Sequence, residues 1–542
     1  MKRLAILIIC ISGLFIHCGN SEAGIMKVSD NEPVKRDESI TSSNAFADLF
    51  LDSLMLEGFI KEHEIAGNVA QKMRDFYNSR NFQFAWFTED GVAEQTLAFW
   101  NMHQNFVNYT RDSSIYDKEL HQQMELIVDG EEELNLSNDK LLEIELHLTQ
   151  HFFDFSRYAY TGKTNPEQLQ WHIPRKKVDA VALLDSLIQS NGRDLEQWEP
   201  VNKQYRQLKN KLLEYYAIEK NGGWPEISLG KLRVLKNGDS ASIITDVKKR
   251  LQETGDFPQE SLTPFFDATM ESAVKQFQLR HGLTRDGVIG PAFMKAINVS
   301  VKEKIEQLLI NMERMRWMPA QPAGKRIVTN IPEFKLYVYE GEKPVLSMDV
   351  VVGKSATRTV VFSDELQYVV FSPYWNVPRS IIRNEILPAM NRNPNYLASK
   401  NMEITGRSNG LSVIRQKPGG NNALGRVKFI FPNRYSIYFH DTPAKSLFDR
   451  ERRAFSHGCI RLADPFGLAQ YLLKDKEGWT ENRIREAMNA GTEKWVTLDE
   501  KIPVFISYFT AFVDDNGLLH FREDIYGHDK KTAKHLFQHA SQ

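Results

Sequence analysis

The stretch KRIVTNIPEFKLYVYEGEKPVLSMDVVVGK, residues 325–354, is where the chain changes period. Branched and aromatic residues form short runs on either side of a Gly341-Glu342 turn, the pattern of paired strands. VKFIFPNRYSIYFHDTP, residues 427–443, continues in the same style, so a β-rich domain is predicted over 323–510. Between the two strand groups the sequence is long, partly helical and punctuated by Pro and Asn. An insertion of that size in a sheet domain, about 366–422, reads as a lid or a substrate-binding subdomain.

Upstream the pattern is helical. FADLFLDSLMLEGFI, NVAQKMRDFYNSR and KLLEIELHLTQHFFDFSRYAY place apolar residues three and four apart, which predicts a helical scaffold over 46–228. His147 and His151 stand one helical turn apart in HLTQH. The Glu that completes a zinc-peptidase helix is missing and the sequence offers no evident third ligand, so no metal is expected. Capped amphipathic helices around Gly-containing turns form a further unit over 229–300. KEKIEQLLINMERMRW is read as a connecting helix within 301–322, and a C-terminal hairpin and tail are read over 511–542.

At 542 residues the chain exceeds one ordinary core, so several domains are expected. Its 68 Lys+Arg against 70 Asp+Glu, a formal charge of -2, give no long-range attraction for nucleic acid, and no nucleic-acid partner is expected. Lys2 and Arg3 followed by an apolar run to Ile16 are laid out as a secretory signal over 1–23, with a polar spacer over 24–45. Two cleavage readings stand. One makes Cys18 a lipid anchor of bacterial lipoprotein type, and the other uses Ser21-Glu22-Ala23 for ordinary cleavage. Of the 3 cysteines, Cys10 and Cys18 lie in this leader, so Cys459 is the one thiol expected after processing and no internal disulfide is expected.

Cys459 sits in FSHGCIRL, residues 455–462. A cysteine becomes a useful nucleophile when a neighbouring base takes its proton. Two histidines are candidates: His440, at the end of YSIYFH and nineteen residues earlier, and His457, two residues before the thiol. If 457–459 is extended, His457 shares a face with Cys459. Gly458 permits a tight turn whose Gly458 and Cys459 N–H groups would face the oxygen of an attacked carbonyl.

Gly238-Asp239, Ala273-Val-Lys-Gln-Phe-Gln278 and Asp286-Gly-Val-Ile-Gly-Pro291 resemble the marks of the small three-helix peptidoglycan-binding domain. His440, the following fifteen residues and Ser456-His-Gly-Cys-Ile-Arg461 resemble the signature of the L,D-transpeptidases with a YkuD-type catalytic domain. The order of units, with YWNVPRSIIRNEILP, ALGRVKFIFPN and HDTPAKSLF, is similar to the large periplasmic YcbB type. The resemblance implies a multidomain α+β protein with a helical scaffold, a three-helix peptidoglycan-binding domain and a mostly-β catalytic domain carrying a partly helical lid.

It also implies the chemistry. Cys459 attacks the third residue of a peptidoglycan tetrapeptide stem, D-Ala leaves, and the amine of a second stem takes the acyl group to make a 3-3 cross-link. Donor and acceptor stems are the partners, carbapenem-type β-lactams the inhibitors, the cell envelope the location, and no cofactor is needed. His440 is the general base and acid, oriented by the backbone carbonyl of Asp441, with Gly458 an oxyanion donor and His457 in support. Tyr438 is expected to line the pocket, Arg461 to brace the catalytic turn or meet a substrate carboxylate, and Tyr374, Trp375 and Asn376 of the insertion to meet the glycopeptide. An L,D-carboxypeptidase using water and a ligase anchoring envelope proteins share the same signature. A non-catalytic wall-binding scaffold would be expected to have lost Cys459 or His440.

Overall fold

The computed structural model describes residues 34–128, 138–193, 203–258, 262–319 and 322–537. The proposed signal segment, Cys18 and the first part of the proposed spacer lie outside the described residues.

The periodic apolar positions of the N-terminal part build helices Ser53–Glu62, Gly67–Ser79, Glu94–Thr110, Lys118–Val128, Asn138–Thr161, Ala180–Gln189 and Lys203–Lys220. Their apolar stripes meet in one core that includes Met73, Phe76, Trp86, Phe99, Phe152, Leu208 and Leu212. Glu145 is buried in this core with its carboxylate fully engaged. It accepts the Ala85 and Trp86 N–H groups at 2.7 and 3.0 Å and the Tyr77 hydroxyl at 2.9 Å, which pins the aromatic segment 84–87 to the long helix.

The next unit holds helices Ser242–Glu253, Ala268–Arg280 and Pro291–Ile297 around Ile244, Val247, Val274, Phe277, Ile289 and Phe293. Gln278 explains part of its motif. Its side chain donates to Asp286 Oδ1 at 2.7 Å and the Val288 carbonyl at 3.0 Å, and accepts the Gly287 N–H at 2.9 Å, so it locks the turn.

The helix Val301–Trp317, opened by a Ser300–Glu303 capping box, is more than a connector. Leu308 and Met312 belong to the scaffold core and Trp317 to the core of the β domain. Glu313, fully buried, accepts from Thr164 N at 2.8 Å and Arg316 Nη1 at 2.9 Å, and Arg316 donates to the Tyr205 hydroxyl at 2.7 Å. One helix thus welds scaffold to β domain.

Eight strands of the β domain close on themselves. In spatial order they are Val427–Ile430, Phe439–His440, Ile460–Leu462, Lys343–Gly353, Lys335–Glu340, Lys325–Asn330, Lys494–Ser507 and Val361–Phe371, the last pairing back onto the first. Ile327, Leu336, Val350, Val369, Val427, Phe439 and Ile460 fill the interior. The scaffold contributes an edge strand, Trp171–His172, parallel to Val361–Phe362; two residues carry no periodicity by which the sequence could have announced it.

The insertion departs from the expected bounds. Strand pairing of Val361–Phe371 continues to Phe371, so the extra subdomain begins after that residue and not at 366, because Leu366, Val369 and Phe371 are core positions of the closed sheet. It contains a three-stranded antiparallel sheet, Trp375–Asn376, Leu411–Gln416 and Met402–Ser408, short helical turns over 379–399, and a small core of Val377, Ile381, Ile382, Ile386 and Ile414. At its base Asn422 Nδ2 donates to the carbonyls of Pro373 and Lys417 at 3.0 and 2.9 Å. After the hairpin Ala511–Val513/Leu519–Phe521 the expected tail is instead a helix, His528–Leu536, held to Val301–Trp317 by an Arg314–Asp529 ion pair at 2.6 Å.

Candidate active site

The nineteen-residue spacing between His440 and Cys459 follows from topology. Phe439–His440 and Ile460–Leu462 are neighbours and parallel, with His440 opposite Arg461 and Phe439 opposite Ile460. Parallel neighbours cannot be joined by a tight hairpin, so the chain must travel out and back. It does so through a 3-10 turn, Lys445–Asp449, and a short strand, Ala454–Ser456, on the edge of Lys343–Gly353. Phe439 and Ile460 point into the core and are fully buried. Their chain neighbours Tyr438, His440, Cys459 and Arg461 therefore fall on the opposite face, where the Tyr438 and His440 rings lie 5.8 Å apart.

His440 is buried, with Nδ1 2.5 Å from the Asp441 carbonyl oxygen. A carbonyl only accepts, so Nδ1 carries the proton and Nε2 keeps its lone pair. Asp441 is itself fixed: its carboxylate accepts the Arg426 N–H at 2.9 Å, the Thr442 N–H at 2.7 Å and Lys445 Nζ at 2.7 Å. Burial, with the Arg461 charge behind it, pushes the His440 pKa down to about 3. Burial pushes the Cys459 thiol up to about 11, against the backbone and side chain of Tyr438 and the Arg461 charge, which favour thiolate. The resting pair is thus neutral imidazole and neutral thiol. The thiol lies 3.6 Å from the Ser436 carbonyl oxygen. Burial, then the adjacent Cys459, drives the Tyr438 phenol well above its ordinary pKa, so it stays an O–H donor.

The bend carrying the thiol is held from behind by Ser456 of the signature and by Thr357, Thr359 and Tyr526, which sequence reading did not single out. Ser456 Oγ donates to the Cys459 carbonyl at 2.5 Å and accepts the Gly458 N–H at 3.1 Å. Thr359 Oγ1 donates to the Gly458 carbonyl at 2.8 Å and accepts the Gly353 N–H at 2.9 Å, while Thr357 Oγ1 donates to the Ser456 carbonyl at 3.0 Å. The Tyr526 hydroxyl braces the same loop, accepting the Thr359 N–H at 3.2 Å. A Cβ at Gly353 would collide with the Thr357 carbonyl, and Gly458 has φ +118°, so both glycines are required by geometry. The only advance signal was the run of small hydroxyl residues in GKSATRT, residues 353–359.

Residues 324–495 match the profile of the YkuD family, the L,D-transpeptidase catalytic domain. This part of the chain is therefore similar to L,D-transpeptidase catalytic domains. Residues 71–212 match a scaffold domain and residues 240–297 a family described as "Putative peptidoglycan binding domain". A curated protein of Haemophilus influenzae named "Putative L,D-transpeptidase" is 34% identical over 241 residues, 42% of this chain and 48% of that protein. The chain thus spans about half the length of the curated relative it matches. It is also similar to the L,D-transpeptidase (residues 123-326) of Xylanimonas cellulosilytica, at 14% identity over 51% of this chain and 98% of that one, TM-score 0.18. The L,D-transpeptidase of Stackebrandtia nassauensis shows 16% identity over 50% and 94%, TM-score 0.21.

Several expectations for the transpeptidase domain need correction. Gly458 N–H is committed to Ser456 Oγ and buried, so it does not face a substrate oxygen. His457 does not turn toward the thiol: residues 457–459 form a bend, not a strand, and its Nε2 lies 2.9 Å from Glu385 Oε1 on the insertion. Tyr374 and Trp375 serve the insertion itself. Trp375 packs against the insertion core, and Tyr374 lies under the Arg415 guanidinium, 4.2 Å from its ring, with its N–H donated to Glu493 at 3.0 Å. Asn376 is exposed and pairs with Arg415 in the insertion sheet. Arg461 belongs to the site, with a buried Nε that has no hydrogen-bond partner among the described residues and a charge acting on both Cys459 and His440.

Proposed function

We propose that this chain is a peptidoglycan L,D-transpeptidase working through a thioester on Cys459, in the cell envelope. The observation that carries the reading is the common face of Cys459, Tyr438, His440 and Arg461, at register-paired strand ends of a transpeptidase domain. His440 Nε2 takes the thiol proton as sulfur attacks the carbonyl carbon of the third stem residue. The developing oxyanion is met by the Tyr438 hydroxyl, which burial keeps protonated, and by the Cys459 N–H. The tetrahedral intermediate collapses by breaking the amide C–N bond. His440 returns its proton to the leaving D-Ala amine. The amine of a second stem then attacks the thioester, loses a proton to His440, and the sulfur departs to be reprotonated. One amide replaces another, so no nucleotide is consumed. The buried Arg461 Nε, without a hydrogen-bond partner among the described residues, suits a stem carboxylate. The match of residues 240–297 to a peptidoglycan-binding family supports a wall polymer as ligand, which favours an amine of the wall over water as acceptor.

Incubating the purified chain with disaccharide-tetrapeptide and resolving the products by mass tests this. A dimer lighter than two substrates by one D-Ala is expected. A tripeptide alone would mark an L,D-carboxypeptidase, and unchanged substrate would overturn the transpeptidase reading.

A further inference from the structure

The scaffold holds a side-chain cluster that the acyl-transfer chemistry leaves unused. Of the chain's 14 histidines, His63, His103, His121, His147 and His151 gather around one flank of the long helix Asn138–Thr161. The His63 and His147 rings are 4.7 Å apart, the His103 and His151 rings 5.8 Å, and Trp100 lies 5.6 Å from His103 and 5.7 Å from His121. His147 and His151 are one turn apart on that helix and so share a face. On sequence they lacked a third ligand. Folding supplies it: Asp117, thirty residues before His147, brings its carboxylate to the pair, and the ligating atoms of Asp117, His147 and His151 all lie within 4.8 Å of one another.

We propose that Asp117, His147 and His151 bind a divalent transition-metal ion, Zn²⁺ foremost, which clasps the start of the helix Lys118–Val128 to the helix Asn138–Thr161. The carboxylate is already positioned for this. Its Oδ1 accepts the N–H groups of Glu119 and Leu120 at 2.8 and 3.0 Å, capping the helix, which leaves Oδ2 facing His151 Nε2 at 3.8 Å. That gap is too wide for a hydrogen bond. Ligand atoms around a tetrahedral zinc with bonds of about 2.0–2.2 Å stand roughly 3.3–3.6 Å apart, so side-chain shifts of about 1 Å close the site. His151 is only 9% exposed, and Nδ1 of both His147 and His151 is buried with no hydrogen-bond partner among the described residues. Two imidazoles and one carboxylate form a zinc ligand set, and the half-exposed Asp117 side leaves the fourth position to solvent. Leu148, Thr149 and Gln150 stand between the histidines, so the pair lacks the Glu of the zinc-peptidase helix. A rival trio, His63, Glu143 and His147, shares one ligand, but its His63 is exposed.

The test is equilibrium dialysis of the purified full chain, stripped with chelator, against micromolar Zn²⁺. One ion per chain is expected, together with a rise in unfolding temperature on binding. Asp117→Asn retains the capping oxygen and so the fold, checked by circular dichroism. It is expected to weaken binding at least about tenfold, as is His151→Gln, since even partners of ligands cost that much. Cys459→Ser and His63→Ala are expected to bind as the parent does. Failure to bind one ion, binding indifferent to Asp117→Asn and His151→Gln, or binding lost equally in His63→Ala would overturn the assignment.

Discussion

His457 Nε2 lies 2.9 Å from Glu385 Oε1, so the residue two positions before the thiol is tied to the helical edge of the insertion. Both partners are substantially exposed, which limits such a pair to roughly 0–1 kcal/mol. Glu385→Gln and His457→Ser should therefore each change acylation of Cys459 by less than about tenfold and raise hydrogen exchange over 375–416 by at most about fivefold. Loss of acylation in His457→Ser by three orders of magnitude would make His457 the base and displace His440 from that role.

Tyr438→Phe removes a hydroxyl and leaves the ring. Acylation by a carbapenem is expected to fall roughly 10²–10³-fold, the scale of one oxyanion donor, with the melting temperature little changed. A rate within about threefold of the parent would show that the phenol only packs.

Thr359 satisfies two buried backbone groups at once, the Gly353 N–H and the Gly458 carbonyl. Thr359→Val should cost about 1–3 kcal/mol in denaturant unfolding and slow acylation by loosening the bend, whereas Thr359→Ser should recover most of both. Equal behaviour of Val and Ser would contradict the bridging role.

The pH dependence follows from two opposed shifts. The thiol is pushed up to about 11 and His440 down to about 3, so neither titrates near neutrality. His440 stays an unprotonated base across the physiological range, while the thiolate fraction grows about tenfold per pH unit up to the thiol pKa. Alkylation of Cys459 by iodoacetamide should thus climb steadily from pH 5 to 10 with no inflection near 6.5. A plateau above pH 7 would indicate a preformed thiolate–imidazolium pair. At neutral pH His440→Ala should lower carbapenem acylation by roughly three orders of magnitude.

Val274 and Phe277 were legible in the sequence as part of a helical unit because its period is local, and the run 427–443 as strand for the same reason. Cys459 and His440 were legible because thiol and imidazole chemistry needs those residue types. What was missed depends on contacts across long separations. Thr359 meets Gly458 ninety-nine residues away and Glu385 meets His457 seventy-two away, and no local pattern encodes either. Ser456 was legible as part of the signature, but not that its hydroxyl would take the Gly458 N–H from the oxyanion. Asp117 is invisible as a partner of His151 for the same reason.

If Cys459 carries the acyl group of a tetrapeptide donor, that adduct can be weighed. Intact-protein mass spectrometry after brief mixing with disaccharide-tetrapeptide and an acid quench measures it directly. The predicted result is an adduct of donor mass less D-Ala, located on the Cys459 peptide, absent in Cys459→Ala, and cleared when an amine acceptor is added. A cross-linked product formed without that adduct, or an adduct that persists in Cys459→Ala, would contradict it.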